Sequence, residues 1–315
     1  MITQAQRLID SVENVILIGY SGSHAHGTTV ETSDIDLTGI ALNPKSELLG
    51  VYEDFGKYMD SEYDSIVYSL KRAVQLLLNC NPSILELLGL RECDYQLLTE
   101  KGKLLVDNRK LFISNRVGLT YKKMCKSQSN LILNGTRKGK VEILKAQNES
   151  LRKAIKTIKV NYPEIEKGSF VIREEKGNLY FDASLKGITK ERALGLLVDI
   201  GKVKEDFESA GSLDDSKISQ IVAKSCMHLI RSYMTGIDIL KHGDVITYRT
   251  GQDHDLLMEI RQGHYLGEDG VTPTKDFNDM VAEYDEKIQK AYDETKLLDN
   301  PDIAGINELV MYLNS

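Results

Sequence analysis

Two rhythms of apolar positions divide this chain, an alternation of period two in its first third and a helical spacing over most of the remainder. Val15 to Tyr20 (VILIGY) is a short apolar run with β-branched residues, closed by glycine, and predicts a buried strand. DIDLTGIAL predicts a second strand, Asp34 to Leu42, and DSIVYSL a third, Asp64 to Leu70. A helix from Thr3 to Glu13 precedes the first strand, and a polar loop from Asn43 to Tyr63 separates the other two. Lys71 to Cys80 reads as helix until Asn81-Pro82 breaks it, and Ser83 to Leu90 forms the next. These elements make a compact α/β unit over residues 1–105. Helical periods then dominate residues 106–315: Asn108 to Leu133, Lys140 to Val160, Lys190 to Ser209, Asp215 to Leu240 and Lys275 to Leu297. The exception is Phe170 to Leu185, where two alternating runs flank Lys176-Gly177-Asn178 and predict a β-hairpin. The fold class expected is α+β in the first part with a mostly α-helical C-terminal domain.

Composition narrows the class without naming a chemistry. With 315 residues, 41% hydrophobic and 28% charged, the chain can bury a sizeable core as one large or two smaller domains. No apolar run approaches the roughly 20 residues that cross a bilayer, and the N-terminus lacks a basic-then-apolar signal pattern, so a cytoplasmic protein with no membrane partner is expected. Cys80, Cys93, Cys125 and Cys226 form no C-x-x-C pair and read as reduced, mostly buried thiols. A net charge of −7 speaks against a protein that coats nucleic acid and confines any such contact to a local patch.

The densest chemistry lies in GYSGSHAHGTTVETSDIDLTGI, residues 19–40. After the first strand, Gly22-Ser23 turns the chain, and backbone N–H groups freed there, with the Ser23 hydroxyl, favour phosphate oxygens. Because successive strand residues face opposite ways, Asp34 and Asp36 are expected on one face while Ile35 and Leu37 pack on the other. Two carboxylates on one spot repel, and a divalent cation, Mg²⁺ by default, removes that cost. An isolated D-x-D is usually a turn and a solvated strand residue. Here the preceding strand, the glycine–serine turn and the step of eleven residues from Ser23 to Asp34 favour ligation. His24 and His26 lack a third nitrogen or sulfur ligand nearby and suit shaping the turn or touching a nucleotide better than holding zinc.

G-S-x-A-x-G-T at Gly22 to Thr28, followed by S-D-I-D at Ser33 to Asp36, resembles the DNA polymerase beta-like nucleotidyltransferase superfamily. Within it the chain looks most like the RNA-repair-pathway polymerase beta family. NPSILELL at Asn81 to Leu88, the segment Lys224 to Gly243 and MEIRQGHY at Met258 to Tyr265 carry the narrower likeness. The resemblance implies a polymerase beta-like α/β core with a mixed sheet. It also implies transfer of a nucleoside monophosphate from an NTP with release of pyrophosphate, assisted by two Mg²⁺ or Mn²⁺ ions on Asp34, Asp36 and Asp64. Gly22, Ser23 and Ser33 become nucleotide-binding residues. Asp64, opening the third strand, becomes the third carboxylate, a metal ligand or the base for the acceptor hydroxyl, with Asp60 and Glu62 as competitors nearby.

Lys224, His228 and Arg231 are spaced four and three apart, so they share one stripe of a helix packed through Ile221, Cys226, Leu229 and Ile230. In the resembling family a helix of this kind faces the nucleotide; alone, the pattern reads equally as a solvated basic face. Arg249 and Arg261 are weaker candidates of the same kind. Tyr121-Lys122-Lys123, Lys126, Arg137-Lys138, Lys140 and Lys145, followed by Lys153, Lys156 and Lys159, form a basic stretch that would track an RNA backbone or merely face solvent. A tRNA-like RNA 3′ end is the acceptor the likeness implies. Transfer to a protein or small molecule, and an inactive nucleotide-binding module, remain alternatives.

Overall fold

The computed structural model describes residues 3–51, 54–60, 64–133, 149–165, 171–175, 178–211 and 215–315. Two compact units emerge: residues 1–130, 223–265 and 273–315 form one, and 131–222 with 266–272 the other. The second half of the chain thus contributes helices to both.

The first unit is built on a five-stranded sheet. Helix α1 (Gln4–Ser11), capped by the Thr3 hydroxyl, leads into β1 (Val15–Tyr20). The one-turn helix α2 (Gly22–His26) comes next, then β2 (Leu37–Ala41), α3 (Lys45–Leu49), β3 (Lys57–Met59) and β4 (Ile66–Ser69). Helices α4 (Leu70–Leu78) and α5 (Pro82–Leu88) succeed them, with Pro82 in the first turn where its missing N–H is not needed. β5 (Tyr95–Leu98) and α6 (Glu100–Asp107) complete this part. Strand order is β3-β4-β2-β1-β5, antiparallel except for the parallel β2/β4 pair, so the sheet is mixed.

α1 covers one face, placing Ala5 and Leu8 with Ile18, Leu37, Ala41 and Val67. The other face meets α5 and the residues after it: a Cβ on Gly19 would lie 3.1 Å from a methyl of Leu87 in α5 and 2.3 Å from one of Leu90, so glycine lets this segment approach β1. The unit is completed by the 116–130 part of α7 (Arg116–Leu133), the 223–242 part of α10 (Asp215–His242), α11 (Gly251–Arg261), α12 (Lys275–Glu294) and α13 (Ile303–Asn314). Cys80, Cys125 and Cys226 are buried and Cys93 is exposed, all as free thiols.

The second unit holds a helix over residues 149–161 (α8), the antiparallel hairpin β6 (Val171–Glu175) and β7 (Asn178–Asp182), and α9 (Lys190–Gly211). Ile158, Tyr162, Leu196 and Val203 form its core. The expected hairpin is present, while Phe170 and the turn Lys176-Gly177 lie outside the described residues, as does the start of the helix expected from Lys140. Among the described residues, no helix is long and apolar enough to cross a membrane.

The strand boundaries depart from the sequence reading in one respect that matters. β2 begins at Leu37, so Asp34 and Asp36 precede it, and Ile35 is 47% exposed rather than packed. Pairing with β1 ends at Tyr20↔Leu37, and without a partner strand the residues before Leu37 do not form a ladder. The polar loop from Asn43 also contains α3 and β3, and β5 completes the far edge.

Candidate active site

Three segments meet at one end of the sheet. Past the last β1/β2 pair, the Ser21 N–H donates to the Asp36 carbonyl at 2.9 Å, which holds the turn after β1 beside the aspartate. Gly22 sits there at φ +58°, and a Cβ on it would lie 2.8 Å from Asp36 Oδ2. Glycine is therefore required twice, for the left-handed backbone and for room beside the carboxylate. The parallel register aligns Thr38 with Ile66, so Asp36 and Asp64, each two residues upstream, lie just ahead of neighbouring strands.

Gln4 ties these segments together. Its Nε2 donates to the Ile35 carbonyl (2.9 Å) and to Ser65 Oγ (2.7 Å), while the Leu37 N–H also donates to Ser65 Oγ (3.3 Å). The backbones on which the three aspartates stand are thereby linked through one amide and one hydroxyl. Neither residue stands out in the sequence, because their value lies in contacts between positions far apart in the chain.

Asp34 and Asp64 are exposed and Asp36 is half-buried. Burial raises the Asp36 pKa, and the charges of Asp64 and Asp34 push the same way, against Lys224 and His24. Lys224, exposed on α10, is thus the lysine whose charge reaches Asp36. Among the described residues no group of three or more His, Cys, Asp and Glu side chains is gathered tightly enough to hold a metal ion. The donor chemistry suits a divalent cation nonetheless: hard carboxylate oxygens repel one another, and Mg²⁺ takes one or two carboxylates together with substrate phosphates rather than an all-protein cage.

Next to the carboxylates lies a cavity of about 310 Å³, lined by Gly22, Asp36, Asp64, Tyr68, Glu86 and Arg231 among others. Arg231 is only 8% exposed, yet its Nε and Nη1 have no hydrogen-bond partner. Burial lowers its pKa, with Glu86 opposing. A guanidinium taken out of water with its N–H groups unmet is expensive to keep, and an anion in the cavity would satisfy it. His228, on the same stripe of α10, is half-buried and pushed down to about 3 by burial, Arg231 and Lys224, so it is neutral at pH 7.

His26 and Glu86 brace the floor. The His26 ring is buried, with Nδ1 2.9 Å from the Thr247 carbonyl and Nε2 3.2 Å from Glu86 Oε2. Both nitrogens face oxygens, so a ring with one proton donates to the carbonyl or to Glu86 but not to both. Burial and then Arg231 draw the His26 pKa down. Burial alone would raise Glu86, but His26, Arg231 and His228 bring it down to about 2. The Thr247 hydroxyl donates to the Glu86 carbonyl (2.8 Å), and the Arg249 N–H donates to the His26 carbonyl (3.1 Å). Sequence reasoning passed over Glu86, although an acidic residue alone inside the apolar run ILELL was the available signal.

The remaining candidates separate by environment. Ser23 lies in α2, where its carbonyl accepts from the Thr28 N–H (3.0 Å). Ser33 Oγ accepts from the Val30 N–H (2.9 Å) and from Arg261 Nη2 (3.2 Å). Arg249 does not serve as a free cation: 3% exposed, it binds Asp238, Asp253, Thr235 Oγ1 and the Ile246 carbonyl. Tyr121 is wholly buried in the first unit and so is no stacking aromatic among surface lysines, and Lys122 donates to Gln289. Arg137, Lys138, Lys140 and Lys145 lie outside the described residues, while Lys153, Lys156 and Lys159 are exposed on α8.

Compared with known families, residues 2–312 match the model described as RlaP, RNA repair pathway DNA polymerase beta family. No match was found among curated proteins or among solved structures.

Proposed function

Since the chain belongs to the RNA repair pathway DNA polymerase beta family, we propose that it is a metal-dependent nucleotidyltransferase that moves a nucleoside monophosphate from an NTP to an RNA 3′ end. The observation that carries this reading is the pairing of opposite chemistries at one place: three mutually repelling carboxylates, Asp34, Asp36 and Asp64, and beside them a buried Arg231 with unmet N–H donors. A nucleotide with its cation answers both needs.

In the reaction the acceptor hydroxyl oxygen bonds to the α-phosphorus while the bond from that phosphorus to the pyrophosphate oxygen breaks. Asp64, exposed at the entrance to β4, takes the hydroxyl proton. Asp34 and Asp36 would hold Mg²⁺ or Mn²⁺, which when bound polarises the phosphoryl oxygens and neutralises developing charge. Arg231 grips phosphate oxygens from the floor of the cavity, Lys224 adds a point charge, and the Gly22-Ser23 turn brings backbone close to the phosphates. Neutral His228 leaves the cationic work to its neighbours. The choice of an RNA acceptor rests on the family's description, and tRNA is our own choice among RNAs.

The test is incubation of the purified protein with Mg²⁺ or Mn²⁺ and each labelled NTP, with bulk tRNA or with no added acceptor. Labelled RNA, lost in D34A and D36A, is the expected result. Label on the protein itself would replace the RNA acceptor by a protein one, and no transfer with any NTP would overturn the proposal.

A further inference from the structure

We propose that Arg261, acting with the Ser33 hydroxyl, is a second phosphate clamp of this site, gripping the phosphates beyond the α-phosphate while Arg231 holds the chain from below. The inference rests on the nucleotidyltransferase reading and deepens it by assigning a residue to the leaving pyrophosphate.

Ser33 stands one residue ahead of Asp34. Its oxygen accepts twice, from the Val30 N–H at 2.9 Å and from Arg261 Nη2 at 3.2 Å. With both lone pairs engaged, the hydroxyl can interact further only by donating its proton. Arg261, in the last turn of α11, spends Nη2 on this contact, whereas its Nη1 is buried without a hydrogen-bond partner. Two donors with unmet capacity therefore stand side by side next to the carboxylate segment.

Charge points the same way. Burial lowers the Arg261 pKa, and Arg231 lowers it further, so the two guanidiniums feel each other. Both carry buried N–H groups that lack acceptors. Arg249 also has a buried Nε without a partner, but its charge is met by Asp238 and Asp253. Arg231 feels the charge of Glu86, yet among the described residues neither guanidinium is hydrogen-bonded to a carboxylate; an anion beside both would meet their open N–H groups, and a polyphosphate has enough oxygens for the two. Arg261 merely pinning the Ser33 turn would account for Nη2 but not for the unmet Nη1.

Calorimetric titration of the full chain with a non-hydrolysable ATP analogue and with inorganic triphosphate, in Mg²⁺, tests the idea beside AMP binding followed by ligand-observed NMR. R261A is expected to weaken the analogue and triphosphate at least tenfold while leaving AMP within about twofold, and R261K to recover part of the loss. Unchanged affinity of R261A for the analogue, with the parent binding normally, overturns the clamp and leaves the nucleotidyltransferase reading standing. Equal loss of AMP and analogue also overturns it, since a pinned turn would act on both. Failure of the parent chain to bind any of these ligands overturns the clamp and the nucleotidyltransferase reading together.

Discussion

The Asp36 carboxylate occupies the space that a side chain at Gly22 would need, with a Cβ there only 2.8 Å from Oδ2. The turn proposed to approach the phosphates and the carboxylate proposed to hold the cation are thus fitted to each other. G22A must either displace Asp36 or shift the turn, and it also places a Cβ at φ +58°. Expected are a stability loss of about 1 kcal/mol and a fall in transfer rate of roughly a hundredfold or more. Thermal melting and a labelled-NTP assay on the same preparation measure both, and near-parental turnover in G22A would refute the fit.

Asp36 is also expected to make the site responsive to cations. Its folded pKa lies above the ordinary 3.8 because burial, and then Asp64, disfavour the ionised form. The folded chain accordingly prefers the proton: stability from this group is fully present below 3.8 and declines as pH rises through the higher folded value. At neutral pH without metal, D36N should melt no lower than the parent. Added Mg²⁺ or Mn²⁺ should raise the parent's melting temperature and leave D36N unmoved. A metal-induced shift of equal size in both proteins would place the ion elsewhere.

Glu86 behaves in the opposite sense. Its folded pKa of about 2 lies below the ordinary 4.5, so its contribution is present above 4.5 and lost as pH falls from there towards 2. E86Q removes a buried carboxylate from beside His26 and the charge of Arg231 and is expected to cost about 3 kcal/mol at pH 7. That difference should shrink as the pH is lowered through this window. Denaturant titrations at several pH values decide it, and a difference independent of pH would mean that Glu86 is not ionised in the fold.

Gln4 is expected to act on catalysis without touching a substrate. Q4A leaves the Ile35 carbonyl and Ser65 hydroxyl without their shared donor, loosening the spacing of Asp34, Asp36 and Asp64. A stability loss of about 1 kcal/mol should accompany a drop in kcat that exceeds any change in KM for the NTP. Should KM alone move, the amide is serving the nucleotide rather than the aspartates.

The two buried arginines, Arg231 on α10 and Arg249 between α10 and α11, should part company on substitution. R249M strips Asp238 and Asp253 of their partner and is expected to destabilise the protein by about 3 kcal/mol. R231K keeps a charge but loses the fork that fits phosphate, so kcat/KM should fall about a hundredfold with melting changed by only a few degrees. Melting curves beside steady-state kinetics separate the two, and parental kinetics in R231K would remove Arg231 from the site.

Local patterns carried much of this protein in plain view. VILIGY and IVYS form strands because alternating apolar residues can be buried only on a sheet, and the α10 stripe is helical because Lys224, His228 and Arg231 recur at its period. The G-S turn and the D-x-D pair were legible for the same reason, being determined by residues within a few positions of one another. Where β2 begins was not, because Asp34 and Asp36 remain outside the strand only because β1 has ended opposite Leu37. Nor were the edges β3 and β5, three and four residues long, which exist as strands through their neighbours. Gln4 with Ser65, His26 with Glu86 and Thr247, and Ser33 with Arg261, 228 positions apart, are decided by tertiary packing alone. A hydrogen bond between distant residues leaves no period in the chain; it arises only when folding removes water from two polar groups and leaves each as the other's best partner.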